Sequence, residues 1–308
     1  MKVLVFGSNG LVGSSLKSTL PNESIFDEIK FSSRADTNLF SYEDTSKTIL
    51  NFKPDIIINA AAKVGGIYAN NTQRTNFLLE NLKININILE SSTKLNSVKI
   101  INLGSSCIYP LNAENPIKEN YFMSGKLEPT NSPYALAKIT AIELGNSITT
   151  QYGNKIINLM PTNLYGPGDN FSETSSHVIP GLLRRMHKAK LDNEEKFEIW
   201  GTGKPLREFL FAQDLADCIE FIMDKEINQS LINVGSGQEV SILQLANMIK
   251  SVVGFQGDLS FDSSKPDGNP RKLLDSSVIT KLGWKPKTEL EDGLKITYDW
   301  FLNNKTKL

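Results

Sequence analysis

The chain has 308 residues, of which 40% are hydrophobic and 22% are charged, and its formal net charge is −1. This length predicts one large domain or two closely joined ones, and the composition is typical of a globular protein. The small net charge argues against nucleic acid or an anionic membrane as partner. No apolar run approaches the roughly 20 residues of a membrane-spanning helix. The first apolar run reaches Gly7 too soon for a signal-peptide core.

The cysteines are Cys107 and Cys218, and the histidines are His177 and His187. Two cysteines are too few for a disulfide framework, which fits a reducing compartment, and we expect a cytoplasmic protein. Because these side chains are far apart in sequence, we expect no structural metal site.

Short apolar runs alternate with helical patterns along the first half of the chain. The expected strands cover Val3–Phe6, Ile29–Phe31, Ile56–Asn59, Val98–Leu103 and Ile156–Met160. The expected helices follow the first strand up to Leu20 and cover Thr45–Phe52, Phe77–Leu95 and Pro133–Tyr152, the last with Ser132 as N-cap and Gly153 as its end. This alternation predicts an α/β fold with a doubly wound parallel sheet of the Rossmann type.

The pattern changes after about Pro161 and predicts a smaller, mixed α/β domain. Its expected helices cover His177–Lys190, Leu215–Met223 with Asp214 as cap, and Leu243–Val253 with Ser241 as cap; its expected strands cover Phe197–Trp200, Glu208–Phe211 and Leu231–Val234. We assign residues 1–164 and about 209–232 to the dinucleotide-binding domain. Residues of about 165–208 and 233–308 form the substrate domain, with the ligand cleft between the two.

A glycine-rich loop follows the first strand directly and opens the next helix. It consists of Gly7, Ser8, Asn9, Gly10, Leu11, Val12 and Gly13. In this context the glycines permit a tight turn, a close approach of backbone to a diphosphate and close helix packing. The helix N-terminus adds free N–H groups, so the loop predicts a dinucleotide site.

The second expected strand ends in Ser32-Ser33-Arg34, where an NAD enzyme would carry an acidic residue. Hydroxyls and a guanidinium group suit a 2′-phosphate, so we predict NADPH rather than NADH. The alternative is a solvated loop arginine, with Asp36 as a competing charge. Small residues at the end of the third strand, Ala60, Ala61 and Ala62, suit a cofactor lying against the backbone, although packing against a helix explains them equally well.

Tyr134 and Lys138 lie four residues apart, on one face of a helix. A nearby ammonium lowers the pKa of a phenol, which makes the tyrosine an acid or base near neutrality. Ser105 ends a strand and is placed to hold the substrate oxygen. A surface pair of Tyr134 and Lys138 is the alternative. The combination with the glycine loop predicts a nicotinamide-dependent carbonyl reductase.

Cys107 lies two residues beyond Ser105, on the same face if the backbone stays extended. A buried cysteine is most often a small apolar residue, and His177 at a helix start most often caps or packs. Together, however, a thiolate and an imidazole can act as base and acid on opposite sides of one carbon. His187 lies among cationic residues, and we expect it at the surface.

Cations and an aromatic ring gather in the second half of the chain. Guanidinium groups hold a diphosphate well and a ring face holds a nucleobase. For each of these residues taken alone, a solvated or packing role is the favoured interpretation. The candidates are Arg184, Arg185, Trp200, Arg207 and Lys272.

These segments together resemble the GDP-sugar 3,5-epimerase-4-reductases of the extended short-chain dehydrogenase/reductase family. The resemblance covers nearly the whole length. Its more specific segments are 60–71, 103–110, 128–134, 160–167, 176–180 and 265–268. It implies that Ser105, Tyr134 and Lys138 perform the reduction, and that Cys107 and His177 are the base and acid of two epimerisations.

The resemblance also implies the binding residues. The cofactor site comprises residues 7–13, Arg34, Asn38, Leu39, Ala60, Ala61, Ala62, Leu103, Gly104, Ser105, Ser106, Tyr134, Lys138, Pro161, Thr162, Asn163, Leu164 and His177. The substrate site comprises Arg185, Trp200, Arg207, Lys272 and Asp275.

The activity that the resemblance implies is epimerisation of GDP-4-keto-6-deoxy-D-mannose at C3 and C5, followed by NADPH-dependent reduction of the C4 ketone. A C4 reductase or epimerase-reductase for a related GDP-deoxysugar, of the deoxyheptose or colitose type, is the alternative enzyme. A redox-sensing NADPH-binding regulator is the alternative outside enzymes. The resemblance also implies a homodimer formed by the helices Phe77–Leu95 and Pro133–Tyr152, through Leu78, Leu82, Ile86 and Leu89.

Two segments depart from the family pattern. The turn Gly7-Ser8-Asn9-Gly10 lacks an arginine of the bacterial cofactor loop, so NADPH binding depends more on Arg34. Phe211-Ala212-Gln213-Asp214 replaces the usual His-Val-Asp-Asp, which affects local packing more than chemistry.

Overall fold

The computed structural model describes residues 1–22, 25–265 and 267–304. Its strands are β1 (Lys2–Phe6), β2 (Glu28–Ser32), β3 (Ile56–Asn59), β4 (Lys99–Leu103), β5 (Lys155–Pro161), β6 (Asn163–Tyr165), β7 (Lys196–Trp200), β8 (Leu206–Phe211), β9 (Leu231–Val234), β10 (Glu239–Ser241), β11 (Asp258–Asp262) and β12 (Arg271–Lys272). Its helices are α1 (Leu11–Thr19), α2 (Tyr42–Phe52), α3 (Ile67–Thr72), α4 (Arg74–Ser92), α5 (Ser132–Tyr152), α6 (Val178–Leu191), α7 (Ala212–Met223), α8 (Ile242–Val253), α9 (Ser277–Lys281) and α10 (Leu290–Asn304).

In the described part of the chain, six strands form a parallel sheet in the order β2-β1-β3-β4-β5-β9. Strands β1, β3, β4, β5 and β9 are short, largely apolar runs that are buried on both faces, as parallel sheets require, whereas the edge strand β2 is largely exposed. The order reverses beside β1, so the carboxyl ends of β1, β3 and β4 open onto a crevice where ligands bind in this fold. The predicted Rossmann-type α/β fold is therefore confirmed.

Each face of the sheet carries its own apolar layer. On one face α1 and α7 pack through residues such as Leu16, Leu215 and Ile219. On the other face α2, α4 and α5 cover the sheet through residues such as Ile49 and Ile88. The result is a three-layer arrangement that fixes the carboxyl ends of the strands.

The second half of the chain adds a smaller sheet and its own core. Strand β8 pairs with β10, β12 and β6, while β7 pairs with β11. Helices α6, α8 and α10 pack around an aromatic cluster that includes Phe171, Phe197 and Phe301. Strand β8 belongs to this second sheet, whereas α7 and β9 pack with the first.

Two predicted helix caps are wrong. Helix α5 has Asn131 at its N-cap, and Ser132 is already helical; its hydroxyl donates to the Pro129 carbonyl at 3.2 Å. Helix α7 begins at Ala212, before Asp214. The Asp214 carboxylate accepts from the backbone N–H of Thr288, which ties α7 to the segment before α10.

The Ser241 cap of α8 is confirmed as a capping box with Gln244, and Gly153 ends α5 at a φ of 79°. Among the helices of the described ranges, none is long and apolar enough to cross a membrane.

Candidate active site

The glycine loop has a conformation and a spacing that only glycine permits. Gly7 has a φ of +79°, and a Cβ there would lie 2.6 Å from the backbone of Ala60. A Cβ on Gly13 would lie 2.2 Å from the carbonyl oxygen of Gly7. The Gly7 N–H also donates to the Ser32 carbonyl at 3.1 Å, which joins the loop to the end of β2.

The N-terminus of α1 provides the anion-binding part of this loop. Gly10 precedes the helix in an extended conformation and supplies no side-chain cap. The first backbone N–H groups and the positive helix end are therefore available to a phosphate. This open backbone cradle fits the diphosphate of a dinucleotide.

Arg34 lies exposed in the turn after β2. The competing Asp36 carboxylate accepts from the Ser33 hydroxyl at 2.6 Å and from the Ser33 N–H at 2.8 Å, and these bonds hold the pKa of Asp36 below its ordinary value. The negative charge of Asp36 is thus held within the turn by its hydrogen bonds to Ser33. The Leu39 carbonyl accepts from Asn87 at 2.8 Å, so α4 holds the following segment in place.

An asparagine ladder, which the sequence interpretation missed, crosses the sheet beneath the site. Asn59, Asn102 and Asn158 are register neighbours on β3, β4 and β5, and their amides bond at 2.8 Å and 3.0 Å. Asn59 also donates to Asn85 of α4 at 3.1 Å. The available signal was an asparagine near the end of three apolar strands. The ladder aligns the strand ends from which the segments 60–62, 103–106 and 161–164 continue.

Ser105, Tyr134 and Lys138 come together at the end of β4. The Ser105 hydroxyl lies beside the Tyr134 phenol, where it opposes the rise that burial causes in the pKa of Tyr134. The Lys138 Nζ atom lies 5.9 Å from the centre of the Tyr134 ring and donates to the Leu103 carbonyl at 2.6 Å. Phe77 of α4 packs edge-on against Tyr134, with 6.3 Å between ring centres.

The expected lowering of the Tyr134 pKa is wrong for this geometry. Burial raises the pKa of Tyr134 far above its ordinary value, and a negative charge on Cys107 would raise it further. Burial also lowers the pKa of Lys138 to about 8, so the cation that should stabilise phenolate is itself weakened. Tyr134 is therefore held as a neutral phenol, which is the form that donates a proton.

Cys107 lies in a short 3-10 turn, Ser106–Ile108, rather than on the extended strand that its spacing suggested. Its N–H donates to the Ser105 hydroxyl at 3.2 Å. The half-buried thiol accepts from the Lys272 ammonium, with 3.5 Å between Nζ and Sγ. Lys272 thus places a positive charge beside the sulfur.

His177 is the N-cap residue of α6. Burial lowers the pKa of His177, and an interaction with the Gly65 backbone opposes that effect. The segment before His177 contacts the loop after β3, because the Gly66 N–H donates to the Ser175 carbonyl at 3.1 Å.

The expected GDP contacts lie on α6, β7 and β8. The Arg185 guanidinium lies 5.8 Å from the ring centre of Trp200, and that tryptophan is 60% exposed. Arg207 donates to the Asp267 carbonyl at 3.4 Å, and the Asp267 carboxylate accepts from the Thr202 hydroxyl at 2.8 Å. Burial lowers the pKa of both arginines, because each is partly desolvated. Cations and an exposed ring of this kind suit a nucleoside diphosphate.

Lys272 connects this group to the reductase residues. It is the register partner of Arg207 in the β12–β8 pair, and its ammonium reaches Cys107. Asp275, by contrast, accepts from the Ser277 N–H at 2.9 Å at the start of α9. Arg184 pairs with Glu173 at 3.2 Å.

The expected surface position of His187 is wrong. His187 is 9% exposed, and its Nδ1 lies 2.8 Å from the Tyr298 hydroxyl. The residue lies on the inner face of α6, where the aromatic core of α10 covers it.

A cavity of about 670 Å³ lies apart from these residues, between the turn after β9 and the start of α10. Its charged lining includes Lys295, which pairs with Glu291 at 3.3 Å and Asp292 at 3.4 Å. Because Lys295 is paired with both of these carboxylates and none of the predicted catalytic residues lines the cavity, we assign no chemistry to it.

Relatives with known names align over nearly the whole chain. A GDP-L-fucose synthase 1 from Arabidopsis thaliana is 47% identical over 98% of this chain and 94% of its own length. A GDP-L-colitose synthase from Yersinia pseudotuberculosis is 37% identical over 99% of each chain.

Solved structures of related enzymes are also similar over nearly the whole chain. A GDP-L-fucose synthetase from Naegleria fowleri, bound to NADP, superposes with a TM-score of 0.90 at 30% identity, over 99% of this chain and 95% of its own. A GDP-D-glycero-L-gluco-heptose synthase from Campylobacter jejuni, in the presence of NADPH, superposes with a TM-score of 0.89 at 33% identity, over 98% of each chain. Residues 3–235 match the model of the NAD dependent epimerase/dehydratase family, and the chain therefore belongs to that family.

Proposed function

We propose that this protein converts GDP-4-keto-6-deoxy-D-mannose to GDP-L-fucose, by epimerisation at C3 and C5 followed by NADPH-dependent reduction of the C4 ketone. The supporting observation is the proximity of Cys107 to the reductase residues: its N–H donates to the Ser105 hydroxyl at 3.2 Å. A candidate base for carbon and a candidate acid for oxygen thus share one cleft. A plain reductase needs only the second of these.

In the proposed epimerisations Cys107 removes a proton from C3 or C5 on one face of the sugar. His177 delivers a proton to the opposite face. The C4 ketone acidifies both neighbouring C–H bonds, and for this reason epimerisation precedes reduction. Lys272 stabilises the thiolate through its contact at 3.5 Å.

In the proposed reduction Tyr134 donates its proton to the C4 oxygen, and Ser105 holds that oxygen by a hydrogen bond. Lys138 stabilises the phenolate as it forms. When bound, NADPH supplies the hydride. The glycine loop would hold its diphosphate, and Arg34 its 2′-phosphate.

The GDP portion would be held by Arg185, Trp200 and Arg207, with Lys272 toward the sugar. Asp275 completes the proposed set, although its carboxylate bonds locally to Ser277. This assignment is supported by the chain of contacts from Cys107 through Lys272 and Arg207 to the Asp267 turn.

We also propose that the enzyme is a cytoplasmic homodimer. The two cysteines are free, which fits a reducing compartment. Leu79 and Ile86 of α4 and Leu136 of α5 are exposed, and a two-fold contact through these helices would cover them. Leu89 is buried inside the protomer, so its predicted place in the contact is wrong, and we propose the exposed Leu79 in its stead.

The deciding experiment is NMR of the product made from GDP-4-keto-6-deoxy-D-mannose and NADPH in deuterated water. We expect deuterium at C3 and C5 and the L-fuco configuration. A reduced product without deuterium would contradict the epimerase part of the proposal.

The alternative is an epimerase-reductase for a related GDP-deoxysugar, which the likeness to the colitose and heptose synthases favours. Competition between the two keto-sugars in one reaction would decide between them. If the other sugar has the higher kcat/KM, its reduced form, and not GDP-L-fucose, is the product of this enzyme.

A further inference from the structure

A loop after β3 holds the segment that carries His177. The Gly66 N–H donates to the Ser175 carbonyl at 3.1 Å. A Cβ on Gly66 would lie 2.5 Å from the Ser176 carbonyl oxygen, so backbone meets backbone here without an intervening side chain. The position of residues 175–177 therefore depends on the position of Gly65 and Gly66.

Asn70 of α3 holds these two glycines by hydrogen bonds from its side chain. Its side chain is 5% exposed, and Nδ2 donates to the Gly65 carbonyl at 2.7 Å and to the Gly66 carbonyl at 3.1 Å. Turning the amide over would aim its oxygen at two carbonyl oxygens, so the orientation of the amide is determined. Because the buried Asn70 amide donates both of its hydrogen bonds to this short loop, it holds the loop in one conformation.

The same loop holds the chain just before His177, because the Gly66 N–H bonds to Ser175, two residues earlier. Asn70 thus orders the two residues against which this segment rests. We propose that Asn70 is a positioning residue for His177, acting through the backbone of Gly65 and Gly66.

The position of the His177 ring matters for the second half of each epimerisation. The Cys107 thiolate gains the proton lost by carbon, and the imidazolium form of His177, protonated from solvent, gives carbon a new one. Solvent then removes the proton from Cys107 and protonates His177 again. A tilted ring would slow this step and leave hydride transfer at C4 in place.

The inference rests on the proposed function, and its test is a product ratio rather than a rate. With GDP-4-keto-6-deoxy-D-mannose and NADPH, each enzyme molecule either epimerises the sugar before reducing it or reduces it directly. Asn70→Asp keeps the shape but replaces the donor by an acceptor facing two carbonyls. A displacement of about 1 Å costs up to about 100-fold, so we expect the ratio of epimerised to directly reduced product to fall about 10- to 100-fold.

The matched control is Asn71→Asp, which introduces the same charge at the exposed neighbouring position of α3. It should give the wild-type ratio. A second readout is the ¹⁵N spectrum of histidine-labelled protein, which contains only two histidines. The His177 ring signals should shift in Asn70→Asp and keep their wild-type positions in the control.

A wild-type product ratio together with an unchanged His177 spectrum in Asn70→Asp would overturn the inference. If Asn70→Asp does not fold, Asn70→Ala is judged by the same two readouts. Wild-type enzyme that gives no epimerised product would contradict the proposed function instead, and the His177 spectrum would still report on the contact.

Discussion

The ammonium of Lys272 lies 3.5 Å from the thiol sulfur of Cys107, across 165 residues of sequence. Pairing of β12 with β8 places the lysine there, beside Arg207. The lysine therefore has two possible effects, on the diphosphate and on the thiolate. Substitution of Lys272 separates the two effects. Only the effect on the Cys107 thiolate changes the ratio of epimerised to directly reduced product.

We predict that Lys272→Met lowers the epimerised fraction of the product. A hydrogen bond to a charged group is worth about 1.5–3 kcal/mol, so the ratio of epimerised to directly reduced sugar should fall about 10- to 150-fold. Lys272→Arg keeps the charge and should lose less. NMR of the product measures the ratio. A raised KM with an unchanged ratio would limit Lys272 to substrate binding.

We predict that Arg34→Ala weakens use of NADPH and leaves use of NADH nearly unchanged. Loss of a guanidinium bond to the 2′-phosphate should raise the Kd for NADPH by a factor corresponding to about 1.5–3 kcal/mol. NADH lacks that phosphate and serves as the internal control. Fluorescence titration of both cofactors measures the effect. Equal weakening of both would show that Arg34 holds the turn rather than the phosphate.

The third prediction concerns pH. Lys138 has a pKa lowered to about 8, so its positive charge is present below that pH and lost above it. A neutral amine cannot stabilise the phenolate that Tyr134 leaves. We therefore expect kcat for reduction to be full below about pH 8 and to fall as the pH rises through it.

Lys138→Met removes the charge at every pH and should give a lower, flatter profile over this range. Tyr134→Phe removes the proton donor, which is typically worth about 10²–10⁴-fold in rate, while binding of NADPH persists. A fall in kcat near pH 8 that survives in Lys138→Met would mean that another group titrates there.

The fourth prediction concerns assembly. Replacing Ile86 and Leu136 together by glutamate places charges in the exposed apolar area of α4 and α5. We expect light scattering to show a dimer for wild type and a monomer for this variant. Ile296→Glu changes an equally exposed apolar residue on α10 and should remain dimeric. A wild-type monomer at micromolar concentration would contradict the dimer.

Local sequence patterns predicted the helices and strands well, because strand burial and helix periodicity depend only on residues that are close in sequence. Strands β3 and β9 match their expected bounds, and the Ser241 cap is correct. The misplaced cap at Asp214 has a cause distant in sequence, since its partner is Thr288. His187 gave a misleading signal because its neighbours on α6 are cationic while its own face meets Tyr298.

The candidate site residues could be predicted from motif and spacing, but the environment of their side chains could not. The spacing of Tyr134 and Lys138 fixes a shared helix face; it does not reveal that burial raises the pKa of the phenol and lowers that of the amine. Likewise the contact of Lys272 with Cys107 depends on strand pairing between distant segments. Desolvation and long-range pairing are properties of the folded chain.

The last prediction separates the two proposed chemistries through Cys107. A thiolate can take a proton from carbon, whereas a serine hydroxyl in its place keeps the approximate shape but is a far weaker base. We expect Cys107→Ser to stop incorporation of solvent deuterium at C3 and C5. Reduction should continue, because Ser105, Tyr134 and Lys138 are intact, and the product should be the directly reduced, unepimerised sugar.

The control for this variant is Cys218→Ala. Cys218 is fully buried in α7, on the α1 side of the sheet, so its loss should cost some stability and leave the deuterium pattern unchanged. Lys272→Met, in contrast, should resemble a weaker form of Cys107→Ser. If Cys107→Ser exchanges deuterium at the wild-type rate, Cys107 is a packing residue. The base must then be another group in the cleft, and the contact with Lys272 loses its catalytic meaning.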